Sequence, residues 1–532
     1  MMERHTVQEI KVELDELNSI VCEVMEDIGV TEEMVDLRRY VYLKNDVHIH
    51  EKNTSLYHTI HAVGSQAEGS TTLGMYSDRD MVYVTPYVRS ILHGKGPEIT
   101  GDADCFAVKN EMCCSQCCFL QLVPLDKENI IKIVSADETI DMTGYFACEN
   151  QERVLLLSNA AIDSLASIIV QPDENFVQNG PAIRCYGSVY PTDFTLALNC
   201  TLAPDCEVLF TRPKPGHWPK QKTMTNAKQC EMFLVHPGNI GSTYDRRKSI
   251  LTIKFTSEYS LFQWRMSTNM IERLLMFDLN IVQMKAYILT KMIRKELLGP
   301  IVDNRLSTFH IKTSLLFTIE QFPENIWRNH NLLMCVMYCL NTLRRFLKRR
   351  FCPHYTIASV NLFENKLKVF EMKWLETEIS AIIQSNLGRV LILQMDNFGQ
   401  RLVEKLGGIS SQLSTKEETR SLIICHCLIN VCCDLSVAIN IKTTKSRSEV
   451  DAFLNNNAET ALFVLANDHK YRYETELYLN DIFNTKASIE ASQSIENNIG
   501  IADAIDELFR DSLRSGNISC YLKYVSMLVC TH

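Results

Sequence analysis

Apolar residues recur at helical spacing near the start of the chain, where Leu14, Leu17, Val21, Val24, Met25 and Ile28 trace one stripe that ends at Gly29. Thr6-Val-Gln-Glu9 reads as the capping box that opens this helix, and Gly29 as its stop. A second helix is predicted from about Thr31. Between residues 60 and 210 the pattern shortens to strands alternating with helices, and from Ile271 to about Phe351 it turns helical. Residues beyond about 375 read as mainly helical, interrupted by the polar segment Lys442-Thr-Thr-Lys-Ser-Arg-Ser-Glu449. The most membrane-like window, 421–439, carries His426, Asn430 and Asp434 at i, i+4 and i+8. One polar stripe on an apolar helix suits a bundle, whereas a membrane span would have to hide all three groups. The predicted class is α+β, with a mixed β-sheet core, a helical lobe after it and an extra mainly helical C-terminal region.

The sharpest local pattern starts at Gly64-Ser65 and runs through Gly69 and Gly74 to Ser77-Asp78-Arg79-Asp80-Met81-Val82-Tyr83-Val84. Side chains two apart on a strand leave by the same face, so Asp78 and Asp80 aim at one point. Two such carboxylates repel unless a cation sits between them, and a hard divalent ion that travels with nucleotide phosphates is the natural occupant. At Gly64 the backbone can come close to a phosphate, and the Ser65 hydroxyl and nearby N–H groups can donate to it. In Tyr190-Pro-Thr-Asp193-Phe-Thr-Leu-Ala-Leu-Asn199, a third carboxylate opens an apolar strand, where an unpaired buried charge is costly. Asp78, Asp80 and Asp193 are thus the candidate catalytic and metal-binding acids. They could hold two Mg2+ (or Mn2+) ions, one seating a triphosphate and one activating the attacking hydroxyl. The expected chemistry is phosphoryl or nucleotidyl transfer, with Asp193 next to the nucleophile.

A Gly-Ser turn, an acidic pair on a strand and a later third acid resemble the signature of polymerase-β-like nucleotidyltransferases. Further landmarks are Gln263-Trp264-Arg265-Met266-Ser267, Ile271-Glu272-Arg273-Leu274-Leu275, Ser307-Thr308-Phe309-His310-Ile311-Lys312-Thr313, Pro353-His354-Tyr355 and Asn361-Leu362-Phe363. In this order they resemble the male-abnormal-twenty-one superfamily and its cyclic GMP-AMP synthase-like receptors, over about residues 5–365. The resemblance implies a spine helix at 1–30, a catalytic core at 31–265, a helical lobe closing the nucleotide cleft at 266–375, and a region of unknown role at 376–532. It further implies that Gly64 and Ser65 contact phosphate and that Arg265, Ser267 and Glu272 contact nucleotide. Thr308 stands where the family has a serine near the donor phosphates, and Phe309 where it has a base-stacking tyrosine. A family lysine for those phosphates aligns with Ala286 or, shifted by one, Lys285. Residues 270–300 contain neither cysteine nor histidine, so the zinc thumb of the vertebrate DNA sensor cannot be built there and no structural zinc is expected. In this the chain resembles invertebrate receptors. The implied activity is synthesis of a cyclic dinucleotide from ATP and/or GTP in innate immune sensing; the alternative is a silent relative that serves as a nucleotide-binding or developmental scaffold.

Composition narrows the partners. The net charge is −10, and the first helix sets Lys11 against seven acids between His5 and Asp27 (Glu9, Glu13, Asp15, Glu16, Glu23, Glu26, Asp27), the reverse of a phosphate-tracking groove. Arg344-Arg345-Phe-Leu-Lys348-Arg349-Arg350 is the best basic patch, either a solvated helix end or a site for double-stranded RNA or another polyanion. Twenty cysteines without a signal peptide read as reduced thiols in the cytosol. Cys114 and Cys117 have zinc-ligand spacing, with Cys105 and Cys148 as conceivable additions, but no second matched pair exists. Their run leads straight into Phe119-Leu-Gln-Leu-Val123, which reads as strand core. His48, His50, His58 and His61 read as surface or packing residues.

Overall fold

The computed structural model describes residues 16–43, 47–50, 57–92, 105–109, 113–122, 146–149, 154–157, 159, 177–179, 182–185, 192–238, 262–409 and 413–420. Past that point it describes 422–424, 427, 454–455, 458, 462, 472–497, 500–513 and 518–531. The predicted capping box at Thr6–Glu9, most of the 421–439 window and the polar 442–449 segment lie outside these residues. The chain divides into two compact units, 1–419 and 420–532.

The first unit opens with helix α1 (16–27). Gly29, at φ +84°, ends it as the stripe predicts, and the Val30 N–H reaches back to the Met25 carbonyl at 2.9 Å. Thr31 caps α2 (Glu32–Leu43) by accepting the Met34 N–H at 3.2 Å. Among the described residues twelve strands form one mixed sheet, ordered β1 (Val47–His50), β2 (Tyr57–Val63), β3 (Arg79–Leu92), β4 (Cys105–Val108), β5 (Cys117–Leu122), β12 (Gln263–Ser267), β11 (Met232–Val235), β10 (Thr192–Cys200), β9 (Ala182–Cys185) and β8 (Val177–Asn179). The hairpin of β6 (Phe146–Glu149) and β7 (Val154–Leu157) joins through β5. Helices expected among these strands are not seen in the described residues between 79 and 200, where every regular element is a strand.

One pairing matters most for chemistry. Strand β10 also lies parallel to β3, so the sheet curls back on itself, and the register sets Asp193 opposite Asp80. Parallel partners present side chains to the same face, which brings together two acids far apart in sequence.

The helical part begins at α3 (Asn269–Phe277) and continues through α4 (Ile281–Ile293), α5 (Thr308–Gln321), α6 (Leu332–Arg349), α7 (Val369–Gln384) and α8 (Phe398–Leu406). The helix α4 is buried on every side from Val282 to Ile293, and its end passes into a π-helical turn at Arg294–Leu298. Continuous helix α7 runs through residue 375, and the segment after it folds back on α1. There Lys405 pairs with Glu23 and Asp27 at 3.3 and 3.1 Å, and Lys416 pairs with Glu26 at 2.8 Å. Three of the first helix's acids, Glu23, Glu26 and Asp27, are thereby paired within the same unit.

Two buried histidines make this lobe acid-sensitive. His310 accepts the Ser307 N–H at Nδ1 (2.9 Å) while Nε2 sits 3.0 Å from the Leu362 carbonyl, an arrangement that suits the neutral ring protonated on Nε2. Burial pushes its pKa down to about 4, and that of His354 down to about 3. The unfolded chain therefore takes up protons below about pH 6.5 that these two folded-state rings refuse, so their contribution to stability is complete above that pH and falls as pH drops toward 4. His310 alone accounts for about 3 kcal/mol of this loss. Thermal midpoints measured from pH 7.5 to 4.5 should decline with a slope that is shallower in His310→Gln; an unchanged slope rules this origin out.

The second unit contains α9 (Arg472–Glu496), α10 (Asp503–Ser512) and α11 (Ile518–Thr531). Ala487, Ala491, Ile505, Phe509 and Met527 form their shared core, and Asn484 donates to the Ser512 hydroxyl at 3.1 Å inside it. Among the described residues no helix is long and apolar enough to cross a membrane.

Candidate active site

The turn after β2 is built around a glycine for a physical reason. Gly64 lies at φ +76°, and a Cβ placed there would come within 2.7 Å of Asp80 Cγ, so only a residue without a side chain lets this turn close over that carboxyl. From here the chain makes the single turn Gly64–Ala67 and leads through Tyr76, itself left-handed at φ 47°, into Asp78 and Asp80. A cavity of about 320 Å³ opens beside it, lined by Ser65, Asp78, Asp80, Lys291, Lys295 and Thr308, with Met75, Tyr76, Ser77 and Arg294 around them.

Arg184 links two of the three acids. On β9 it stands directly across the ladder from Asp193, donating from Nε to Asp193 Oδ1 at 2.9 Å and from Nη2 to Asp78 Oδ2. Burial, reinforced by the charges of Asp193 and Asp78, pushes the Asp80 carboxyl up to about 7. Asp78 is also raised, by burial against the pull of Arg184. Three carboxylates are hard oxygen donors of the kind Mg2+ prefers, and the guanidinium held between Asp78 and Asp193 shows that this pair accepts a cation. As the side chains stand, no group of three or more His, Cys, Asp or Glu that could hold a metal ion occurs among the described residues. The acids suit such an ion in chemistry, and Arg184 has to withdraw before they could share one.

Positive charge gathers on the opposite wall. Fully buried Lys291 donates to the Ser65 hydroxyl at 2.9 Å and to the Ser70 carbonyl at 2.7 Å, and burial pushes its pKa down to about 7. Lys295 donates to the Met75 carbonyl at 3.0 Å, while Arg294 holds the carbonyls of Leu306 and Asn304. Thr308 opens helix α5, whose N-terminal N–H groups favour anions.

The remaining expected residues fall elsewhere. Lys285 points to α1, where its Nζ meets Glu26 at 3.0 Å, and it is not among the residues lining the cavity. Lys291, six positions on, is the lysine at Ser65. Arg265 is half-buried on β12, its Nε sealed without a hydrogen-bond partner, and desolvation lowers its pKa. Ser267 donates to Asn269 Oδ1 at 2.7 Å. Buried Glu272 accepts from the Thr268 hydroxyl at 3.2 Å and stands 3.7 Å from Lys312 Nζ. Phe309 packs on His354, ring centroids 5.2 Å apart.

Sequence reasoning missed Arg184, Lys291, Arg294 and Lys295. A signal existed for the last three, because Lys291, Arg294 and Lys295 are spaced i, i+3, i+4 and share one helical face. Cys117 and Cys118 lie buried in β5, in keeping with strand core. In the basic patch Arg345, Lys348, Arg349 and Arg350 are exposed, and Arg344 donates to the Ser380 hydroxyl. Residues 284–380, which span helices α4 to α7, match the family model described as the Mab-21 protein HhH/H2TH-like domain. That match supports a relation to the male-abnormal-twenty-one superfamily, and with it to nucleotidyltransferase-like proteins.

Proposed function

We propose that this chain is a metal-dependent nucleotidyltransferase that joins ATP and/or GTP into a cyclic dinucleotide messenger, in the cytoplasm, as a cyclic GMP-AMP synthase-like receptor of innate immunity without a zinc thumb. The reading rests on one observation: Asp193 and Asp80 stand in register on paired parallel strands, with Asp78 joined to Asp193 through Arg184, beside a cavity whose other wall is cationic. Acids grouped so closely are costly unless they serve a cation. Asp78, Asp80 and Asp193 would hold Mg2+ or Mn2+, which when bound neutralises triphosphate charge and lowers the pKa of the attacking hydroxyl. The protein's own groups do the rest. Ser65 and Lys291 meet the phosphates, Lys295 and Arg294 add positive charge, and the start of α5 at Thr308 contributes its N–H groups. Arg265, with its buried unpaired Nε, and Ser267 serve the nucleotide from β12. Glu272 acts through Lys312 rather than by free projection into the cavity.

The arrangement with Arg184 between the acids is the resting one, and activation moves Arg184 aside. Arg184→Gln should therefore bind Mn2+ about ten times more tightly than the parent chain, since an opposite charge competing for the same carboxylates is removed; equal affinities by paramagnetic resonance titration exclude this role. The function itself is tested by incubating the purified chain with ATP, GTP and Mg2+ or Mn2+, alone and with double-stranded RNA, DNA and other polyanions that could engage the basic end of α6. A cyclic product that depends on Asp78 and Asp80 upholds the proposal. Nucleotide binding without turnover under every condition overturns it in favour of a scaffold.

A further inference from the structure

The cysteine run at the start of β5 has no part in the proposed transfer, yet its geometry is that of a reactive pair. Cys114 and Cys117 are the ends of a β-turn closed by the Cys117 N–H donating to the Cys114 carbonyl at 2.8 Å. The turn is braced on β12: the Cys114 N–H donates to Gln263 Oε1 at 2.9 Å, Gln116 Nε2 to the Met266 carbonyl at 2.9 Å, and the Met266 N–H to the Gln116 carbonyl at 2.9 Å. A closed turn keeps its end Cα atoms within about 7 Å, the separation a disulfide spans without moving the backbone. Each of the two thiols perturbs the other's ionisation, as near neighbours do.

The neighbouring thiols are turned elsewhere, Cys113 toward the Val108 carbonyl and Cys118 toward that of Trp264. No third ligand completes a metal site among the described residues. Access is unequal as well. Cys114 is partly exposed and Cys117 is buried, so one sulfur can meet a reagent and the other waits behind it. The neighbouring Cys117 thiol pulls the Cys114 thiol down to about 7, against burial, while the Cys114 thiol and burial raise Cys117. A thiol that ionises near ambient pH is the better attacking partner.

We propose that Cys114 and Cys117 form a thiol–disulfide exchange site that accepts small disulfides of the glutathione type. The Cys114 thiolate attacks one sulfur of glutathione disulfide, that S–S bond breaks, and one glutathione leaves as a thiolate that takes up a proton. Cys117 then gives up its proton to solvent and attacks the Cys114 sulfur, breaking the mixed disulfide and releasing the second glutathione. Two protein thiols are oxidised and one glutathione disulfide is reduced to two thiols. Cys117 lies directly opposite Arg265 in the β5–β12 ladder, so closing the pair also alters nucleotide affinity. This last clause rests on the proposed function; the exchange chemistry does not.

The full chain is equilibrated in glutathione buffers of increasing oxidation, quenched by alkylation and mapped by mass spectrometry. The peptide holding residues 114 and 117 should lose the mass of two hydrogens and regain it with dithiothreitol. In Cys117→Ser, one glutathionyl group should accumulate on Cys114, whereas Cys114→Ser should leave Cys117 unmodified; circular dichroism checks that both variants fold. Free alkylated thiols at both positions in oxidising buffer, or preferential glutathionylation of Cys117, overturns the site. ATP dissociation constants of reduced and oxidised chain then address the second clause. A several-fold difference upholds it and equality removes it, while loss of ATP binding in both forms counts against the nucleotidyltransferase reading alone.

Discussion

Asp80→Asn and Asp193→Asn are each expected to slow nucleotide transfer on the order of 10³-fold, while in Asp80→Asn the thermal midpoint stays level or rises. Asp80 stands beside two other acids, and its carboxyl is held near neutrality only at the expense of the fold. An asparagine keeps the shape and removes the repulsion, so the folded state loses nothing by the exchange. Function loses a charge that a divalent ion would need, and the second variant breaks the in-register pair from the other strand. For Asp80, stability and activity thus move in opposite directions. Transfer rates and melting curves on the same samples decide the matter: less than a tenfold loss of rate removes these acids from the reaction.

Lys312→Met should cost about 3–5 kcal/mol of stability, the largest effect expected of any single change in the helical lobe. Lys312 Nζ lies 2.6 Å from Glu68 and 3.7 Å from Glu272, and all three side chains are nearly sealed from solvent. Burial works to lower the lysine's pKa, but the carboxylates of Glu68 and Glu272 outweigh it and hold the ammonium charged. Taking the cation away strands two acids in a poor solvent. Adding Glu68→Gln to the variant should return part of the loss, because one of the stranded charges then disappears. Urea denaturation of the parent, the single and the double variant measures this, and a Lys312→Met loss below about 1 kcal/mol contradicts a charge-holding role.

The sequence was most legible where chemistry is local. Gly64, Ser65, Asp78 and Asp80 could be grouped because a turn and the start of β3 bring them together within seventeen residues, although Asp78, expected on the strand, stands one position before it. Asp193 could be named as a charge opening an apolar strand, but its register against Asp80 is a property of the sheet and not of its own segment. Arg184 illustrates the limit. Nothing in Ala182-Ile-Arg-Cys185 tells that the hairpin will set its guanidinium across from Asp193. The helix α4 defeats periodicity for a different reason: it is buried all round, so no polar face marks the side that meets Ser65, and Lys285 and Lys291 look alike until packing assigns one to Glu26 and the other to the cavity. Phe309 kept its place on α5 and found a histidine for its ring.

Asp396 gives the far side of the first unit a bearing on the cavity rim. From a left-handed position in the turn before α8, it accepts the Thr72 hydroxyl at 2.5 Å and the Gly74 N–H at 2.8 Å, two residues short of Tyr76. A fragment trimmed at the end of the landmark-bearing stretch near residue 365 would discard this anchor together with Lys405 and Lys416. The smallest piece that keeps these contacts therefore extends to about residue 419, and shorter clones would report the behaviour of a loosened loop instead of the intact unit's.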